Sequence, residues 1–312
     1  MKSADLLPAP ERLELMKDGL RQLKTWLEDL IRTGILSFDF SPENLREIAS
    51  RMVDSKLGSI GKRLRLLAEI DRSSLHWPHQ ITAELAYLYL IVIHFEKWEG
   101  LSWKMKHTTL ALCGYNLRSE QLLTLPGIKD IWRVAGQRTY PEENLQVRKT
   151  WVAGIVSARF ALILDFAFGN AAFQQRWEVG KAYQGELVYY PGSMNLRGMI
   201  KQPAPYQHTP AKLPAYATIY DFVDQYAKAI VKNLWLTSFP CSLREMLFVP
   251  DQERFVVVDS NKHFIPVQNN IEPCWNLFAF AGGKPIRIFG EWNGTSLQVL
   301  SYQKGDSIQP FA

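Results

Sequence analysis

The spacing of apolar residues changes near residue 128, and that change constrains the fold more than any other feature of the chain. Before it, apolar side chains recur every three or four positions; after it, they mostly alternate. The first spacing lays a stripe along a helix, and the second fills one face of a strand. Helices first and strands second is the order of an α+β fold. The expected architecture is an N-terminal helical bundle over residues 1–127, then a mainly antiparallel β-rich half with one long inserted helix.

In the first part, Leu13, Met16, Leu20, Leu23, Leu27, Leu30 and Ile31 mark an amphipathic helix over 11–36, with Gly34 at its end. Ser41-Pro42-Glu43 has the N-cap, first-turn proline and acid that open a helix, which runs to about Ser55. A short helix is expected over 60–69. A stronger one starts at Trp77-Pro78 and reaches Trp98, apolar nearly all round in its middle. Shorter helices are expected over 102–113 and 118–124.

In the second part, strands are expected over 131–137, 146–154, 159–168, 180–190 and 196–201, making a first β-rich segment of 128–202. Four prolines (203, 205, 210 and 214) make 203–214 a linker. Residues 215–312 then hold a helix from Thr218 to Trp235, with one stripe through Ile219, Phe222, Val223, Tyr226, Ile230, Val231 and Leu234. Strands follow at 255–258, 264–267, 277–281, 286–292 and 297–302, packing with the first β segment. Asn293-Gly294 between two alternating runs marks a hairpin.

Composition narrows the class. Apolar residues at 47% and charged residues at 21% describe an ordinary globular chain. Ten tryptophans point to large cores or to flat partner-binding surfaces. The net charge of +5 divides almost evenly between the halves, so neither is the basic domain typical of nucleic-acid binders. Cys113, Cys241 and Cys274 are odd in number and far apart, which fits neither a disulfide framework nor a metal knuckle. A reducing, cytoplasmic location is expected, and the charged N-terminus lacks the apolar core of a signal peptide. Leu85–Phe95 is about half the length that crosses a bilayer, so no membrane insertion is expected.

Candidate chemistry is sparse. Gly58-Ser59-Ile60-Gly61-Lys62-Arg63 has two residues between its glycines where a phosphate loop needs four, and Arg where it needs Ser or Thr. His76 and His79 are three apart, but no third ligand stands near them, and His94, His107, His208 and His263 are isolated. No metal or cofactor is expected. Asp165, Glu186 and Arg197 fall on neighbouring expected strands and would form a carboxylate pair with a guanidinium if they shared a face. Structural ion pairs are the commoner use of such residues. Arg51, Lys62, Arg63 and Arg65 make a local basic stretch, the candidate contact for nucleic-acid phosphates. A solvated helix face is the commoner use of such a stretch.

Several phrases, taken in order, carry a resemblance. They are Trp26-Leu-Glu-Asp-Leu-Ile-Arg-Thr-Gly34, Arg51-Met-Val-Asp-Ser55, Gly61-Lys-Arg-Leu-Arg65 and Gly136-Gln-Arg138. The Trp151 strand, Ser157–Phe166, Gly185–Gly192, Leu196-Arg197 and Phe289-Gly-Glu-Trp-Asn-Gly294 continue the series. Together the chain resembles the region downstream of the zinc finger in bacterial SWIM zinc-finger family proteins. A SWIM finger needs CxC and CxH, and neither occurs here, so no zinc ligand carries over. The resemblance implies an adaptor or scaffold, in a family often encoded beside MoxR-type AAA ATPases and von Willebrand factor A domain proteins.

Three readings of function stand at this point. The first is a non-enzymatic adaptor mediating protein–protein interaction in a bacterial multi-protein assembly. The second is a nucleic-acid accessory protein using the basic stretch. The third is an enzyme with its site at Asp165, Glu186 and Arg197.

Overall fold

A computed structural model describes residues 6–207, 212–305 and 307–311. His208 and Pro210 lie outside the described residues. The chain divides into two units, one extending to Gln121 with Pro191–Ser193 added, the other holding Leu122–Tyr190 and the residues from Met194 on.

The first unit contains α1 (Pro10–Thr33), α2 (Pro42–Asp54), α3 (Gly58–Leu66), α4 (Trp77–Glu96), α5 (Trp103–Cys113) and the short α6 (Ser119–Leu123), whose last two residues belong to the second unit. The α1 stripe of Met16, Leu20, Leu23, Leu27 and Leu30 is buried as its spacing requires. Ile31, at the edge of that stripe, stays exposed. The middle of α4 buries Leu85, Leu88, Ile91 and Val92 and makes it a central element of this core. On α5, the Ser102 side chain accepts a hydrogen bond from the Met105 N–H, satisfying one of the helix's open first-turn donors.

The second unit begins with β1 (Ile128–Glu142), β2 (Leu145–Gly154), β3 (Phe160–Phe168), β4 (Ala182–Tyr189) and β5 (Gly198–Tyr206). They pair antiparallel in the order β3-β2-β1-β4-β5. The sheet curls until its edges meet. Leu162 on β3 donates its N–H to the Leu196 carbonyl just before β5 at 2.7 Å, and the Tyr189 hydroxyl on β4 donates to the Phe160 carbonyl at 2.9 Å. Inside the curl lie Trp132, Val152, Ile163, Leu187 and Ile200. The 203–214 segment is not wholly linker, since residues 203–206 complete β5. Pro203 and Pro205 are tolerated there because β5 is the last strand of the sheet and has a side with no ladder to donate into.

The second sheet runs β11-β10-β9-β6-β7-β8. Its strands are β6 (Phe239–Asp251), β7 (Arg254–Val258), β8 (Phe264–Pro266), β9 (Ile286–Trp292), β10 (Leu297–Lys304) and β11 (Ser307–Pro310). Helices α7 (Ile219–Lys232) and α8 (Ile271–Ala281) cover its core. The α7 N-terminus is held twice: Thr218 accepts from the Asp221 N–H, and buried Asp259 accepts from the Ile219 N–H at 2.9 Å. The Asn293-Gly294 hairpin forms, closed by the Asn293 carboxamide oxygen accepting from the N–H groups of Thr295 and Ser296.

Residues 277–281, expected as strand, are the end of α8. Cys274, Leu277 and Ala281 bury at helical spacing, and Gly282 closes the helix with φ +59°. Strand β6 is absent from the sequence reading because it never alternates cleanly. It pairs with β9 through Met246 and with β7 from Leu247 onward, and the bulge at Arg244-Glu245 swings it between them. The Pro240 side of β6 is not paired to β7, so its missing donor interrupts no ladder there.

The two sheets stack through Ala135, Trp151, Ala153 and Leu162 on one side and Phe289, Leu300 and Ile308 on the other. Gly136 is required at this contact. A Cβ on it would stand 2.7 Å from the Leu300 Cβ and 2.8 Å from the Phe289 ring.

Candidate functional site

The structure does not gather Asp165, Glu186 and Arg197 into one constellation. Asp165 pairs with its cross-strand neighbour Arg148 at 2.9 Å, and Arg148 also donates to the Gln175 carbonyl and lies over the Phe173 ring. Burial raises the Asp165 carboxyl above its ordinary value, and Arg148 opposes the rise. Glu186 accepts from the Gly127 N–H at 2.7 Å and pairs with cross-strand Lys201 at 3.0 Å; these bonds hold its carboxyl below the usual range. Arg197 lies over the Tyr190 ring at 4.4 Å. Strand alternation explains the separation. Asp165 is in step with Ala161 and Ile163 on the inside of the curl, whereas Glu186 adjoins inward Leu187 and so points the other way.

The basic stretch is also divided. Arg51 pairs with Glu47 on α2 and lines a groove with Trp26 and Asn44. Lys62 and Arg63 line a different groove, between α3 and α4, where Arg63 pairs with Glu84 at 2.7 Å and lies 4.0 Å from the Tyr87 ring centroid. Arg65 is exposed on α3. A continuous phosphate track would need these cations on one face.

Among the described residues, no group of three or more His, Cys, Asp and Glu side chains is placed to hold a metal ion. His76 and His79 are exposed. His107 is buried in α5 against Trp103, ring centroids 4.5 Å apart, and its Nε2 has no hydrogen-bond partner. Burial pushes its imidazole down to about 4. The three cysteines are buried free thiols, and burial raises each above its ordinary value, against nucleophile chemistry at neutral pH.

One constellation escaped the sequence reading. Glu291 on β9 is 4% exposed and sits between the two sheets. It accepts from Trp151 Nε1 at 2.7 Å, and Arg138 and Lys149 approach it at 3.1 and 3.4 Å. Lys149 is lowered by burial and by the Arg138 charge, while Glu291 pulls it back up. Beside this group the Ser301 hydroxyl donates to the Ala135 carbonyl. Three phrases distant in sequence, around Gly136–Arg138, Trp151 and Phe289–Trp292, therefore meet at one place. A carboxylate in the middle of an apolar strand was the available signal, because such a group must find donors when it is buried.

A second feature is on α7. Ile219, Phe222 and Ala229 face the core, with Phe222 6.0 Å from the Trp292 ring. Val223, Val231 and Leu234, read from sequence as part of that buried stripe, are exposed instead. With Tyr220 and Ala227 they form a stripe on the outer side, in which Tyr220 is 70% and Val231 88% exposed. The 3, 4, 4 spacing from 220 to 231 keeps Tyr220, Val223, Ala227 and Val231 on one line of the helix, and Leu234 follows in the turn after it. The helix is thus apolar on two faces, and only one is covered.

No helix among the described residues is long and apolar enough to cross a membrane. Comparisons with curated proteins and with solved structures gave no match. A scan against protein families matched residues 11–113 to the SWIM-associated four-helix bundle domain. That range starts in the first turn of α1 and ends with the last residue of α5. Over residues 11–113 the helical unit is therefore similar to the SWIM-associated four-helix bundle domain, and the 312 residues contain no CxC or CxH ligand set.

Proposed function

We propose that this protein is a non-enzymatic adaptor that holds other proteins together in a cytoplasmic bacterial assembly. The observation that carries the reading is the uncovered stripe of Tyr220, Val223 and Val231 on α7, with exposed Leu234 just after it. A line of apolar side chains at helical spacing is what a partner helix or groove covers, and an exposed one is costly to keep without such use. Its partners are a MoxR-type AAA ATPase and a von Willebrand factor A domain protein, the neighbours that the family resemblance implies. The buried, protonated thiols agree with a reducing compartment.

The test is an affinity purification of the tagged full chain from its native cell at near-physiological salt, with nuclease present. Wild type is expected to retain the ATPase or the von Willebrand-type protein, and Val231→Glu is expected to lose it. Because Val231 is exposed, this substitution should change stability by less than about 0.5 kcal/mol. Retention by the Val231→Glu protein would remove α7 as the docking face. Recovery of nuclease-sensitive partners alone would favour the nucleic-acid reading.

A further inference from the structure

The geometry points to the groove between α3 and α4 as a docking site for a short acidic amphipathic helix of a partner protein. The groove has a volume of about 790 Å³ and is made by the helical unit alone, whereas the α7 stripe belongs to the other unit, so the inference does not depend on the adaptor reading above. Its floor is apolar: Leu66, Leu67, Ile70 and Ala83. Leu67 is buried beneath it, Leu66 is 42% exposed, and exposed Ala83 supplies the small side chain that lets a backbone approach. Leu66 ends α3, Leu67 opens the 3-10 turn that follows and Ile70 closes it, so the floor continues past the helix end, and a third helix laid along two walls fits such a surface. The nine residues of α3 extend about 13 Å, which matches two to three turns of an incoming helix.

Charge selects the class of helix. The groove is lined by Lys62 and Arg63 of α3 and by one acid, Glu84 of α4, so its rim keeps a net positive charge. Arg63 is held at the rim by two contacts, a 2.7 Å bond from one guanidinium nitrogen to Glu84 and the face of Tyr87 at 4.0 Å. A guanidinium has five N–H donors in a fork, so a carboxylate arriving from a partner can share it with Glu84. His79 and Gln80 add polar groups to the rim. An apolar floor with a cationic rim fits leucine- or phenylalanine-type anchors flanked by Asp or Glu. It fits a bare phosphate backbone poorly, because a nucleic acid would leave the floor uncovered.

The inference is tested by panning the full chain against a phage library of random 16-residue peptides. Enriched peptides are then titrated by fluorescence anisotropy against wild type, Leu66→Glu, Ala83→Trp and Val231→Glu. Leu66 and Ala83 are both exposed, so the groove variants are expected to fold, which circular dichroism checks. The expected peptides carry a net negative charge with apolar residues at i, i+3 or i+4, and i+7. Their affinity should fall tenfold or more in both groove variants and stay unchanged in Val231→Glu. No enrichment, enrichment of basic or neutral peptides, or affinities indifferent to both groove variants would overturn the proposal. Binding of a labelled oligothymidylate that is lost in the same two variants would overturn it in favour of nucleic acid.

Discussion

The helical unit keeps its charges outside, and the sheet unit takes several of them in. On α1 and α2 most ion pairs are local and all are on the surface: Lys17–Glu14, Arg21–Asp18, Arg32–Asp29 and Arg51–Glu47 join residues three or four apart, and Lys24 reaches Glu96 on α4 at 2.7 Å. In the sheet unit Asp130, Arg133, Arg148 and Glu291 are all buried, and their partners come from distant parts of the chain. Arg133 donates to the Gly180 carbonyl, and Asp130 accepts from Val156 and Ser157. A helix satisfies its own backbone and needs only an apolar stripe to pack. A curled sheet stacked on a second one buries strands on both faces, so polar groups caught between them must be paired. The same residue types therefore decorate one unit and join the other.

The largest test of this contrast is Glu291→Ala. It leaves Arg138, Lys149 and the Trp151 indole without their common acceptor, at an expected cost of about 3–5 kcal/mol. Hydrogen exchange should show lost protection in β1, β2 and β9 and leave α1 to α5 unchanged. A loss below about 1 kcal/mol would show that the network contributes little to joining the sheets.

The helical unit has an exception in His107, and pH sharpens it. The folded imidazole lies at about 4 and an unfolded one near 6.5, so the unfolded state takes up its proton first as pH falls. The stability that this group sustains is complete above pH 6.5. It declines as pH drops from 6.5 to about 4 and changes no further below that. The loss is roughly 3 kcal/mol. Exchange of α5 followed across that range should accelerate in wild type and much less in His107→Gln. An equal response in both proteins would assign the effect elsewhere, and His94, lowered by burial and by Lys97, is the next group to replace.

The smallest effect is expected from Arg21→Ala. Its exposed pair with Asp18 should contribute less than about 0.5 kcal/mol and weaken further in salt, as read from a chemical denaturation midpoint. A cost as large as that of Glu291→Ala would erase the distinction between the units.

Most of the architecture was legible because the helical and strand periods are local properties. The starts of α2, α4 and α7 were marked by Ser41-Pro42, Trp77-Pro78 and Thr218, and the β9–β10 turn by Asn293-Gly294. What stayed hidden depended on tertiary context. β6 changes partners in mid-strand, and its prolines and bulge broke the alternation. α8 offered only a short apolar run, which either period accommodates. Alternation should have separated Asp165 from Glu186, but the register that assigns their faces is set by pairing between strands. Glu291 was invisible as a site for a similar reason: its partners lie about 140 residues away. The outward turn of Val223 and Val231 could not be read from a helix apolar on two sides.

The stacking of the two sheets also has a kinetic consequence. Trp151 and Glu291 are separated by 140 positions, and Ala135 and Ser301 by 166. During synthesis the first sheet emerges long before the residues that cover it, while the helical unit, built from nearer contacts, can already fold. Closing such long loops is slow, and the waiting face around Ala135, Trp151 and Leu162 is apolar. The last strands of this chain thus act as the late step of its folding, and a ribosome stalled before Phe289 would hold out a half-finished surface open to aggregation.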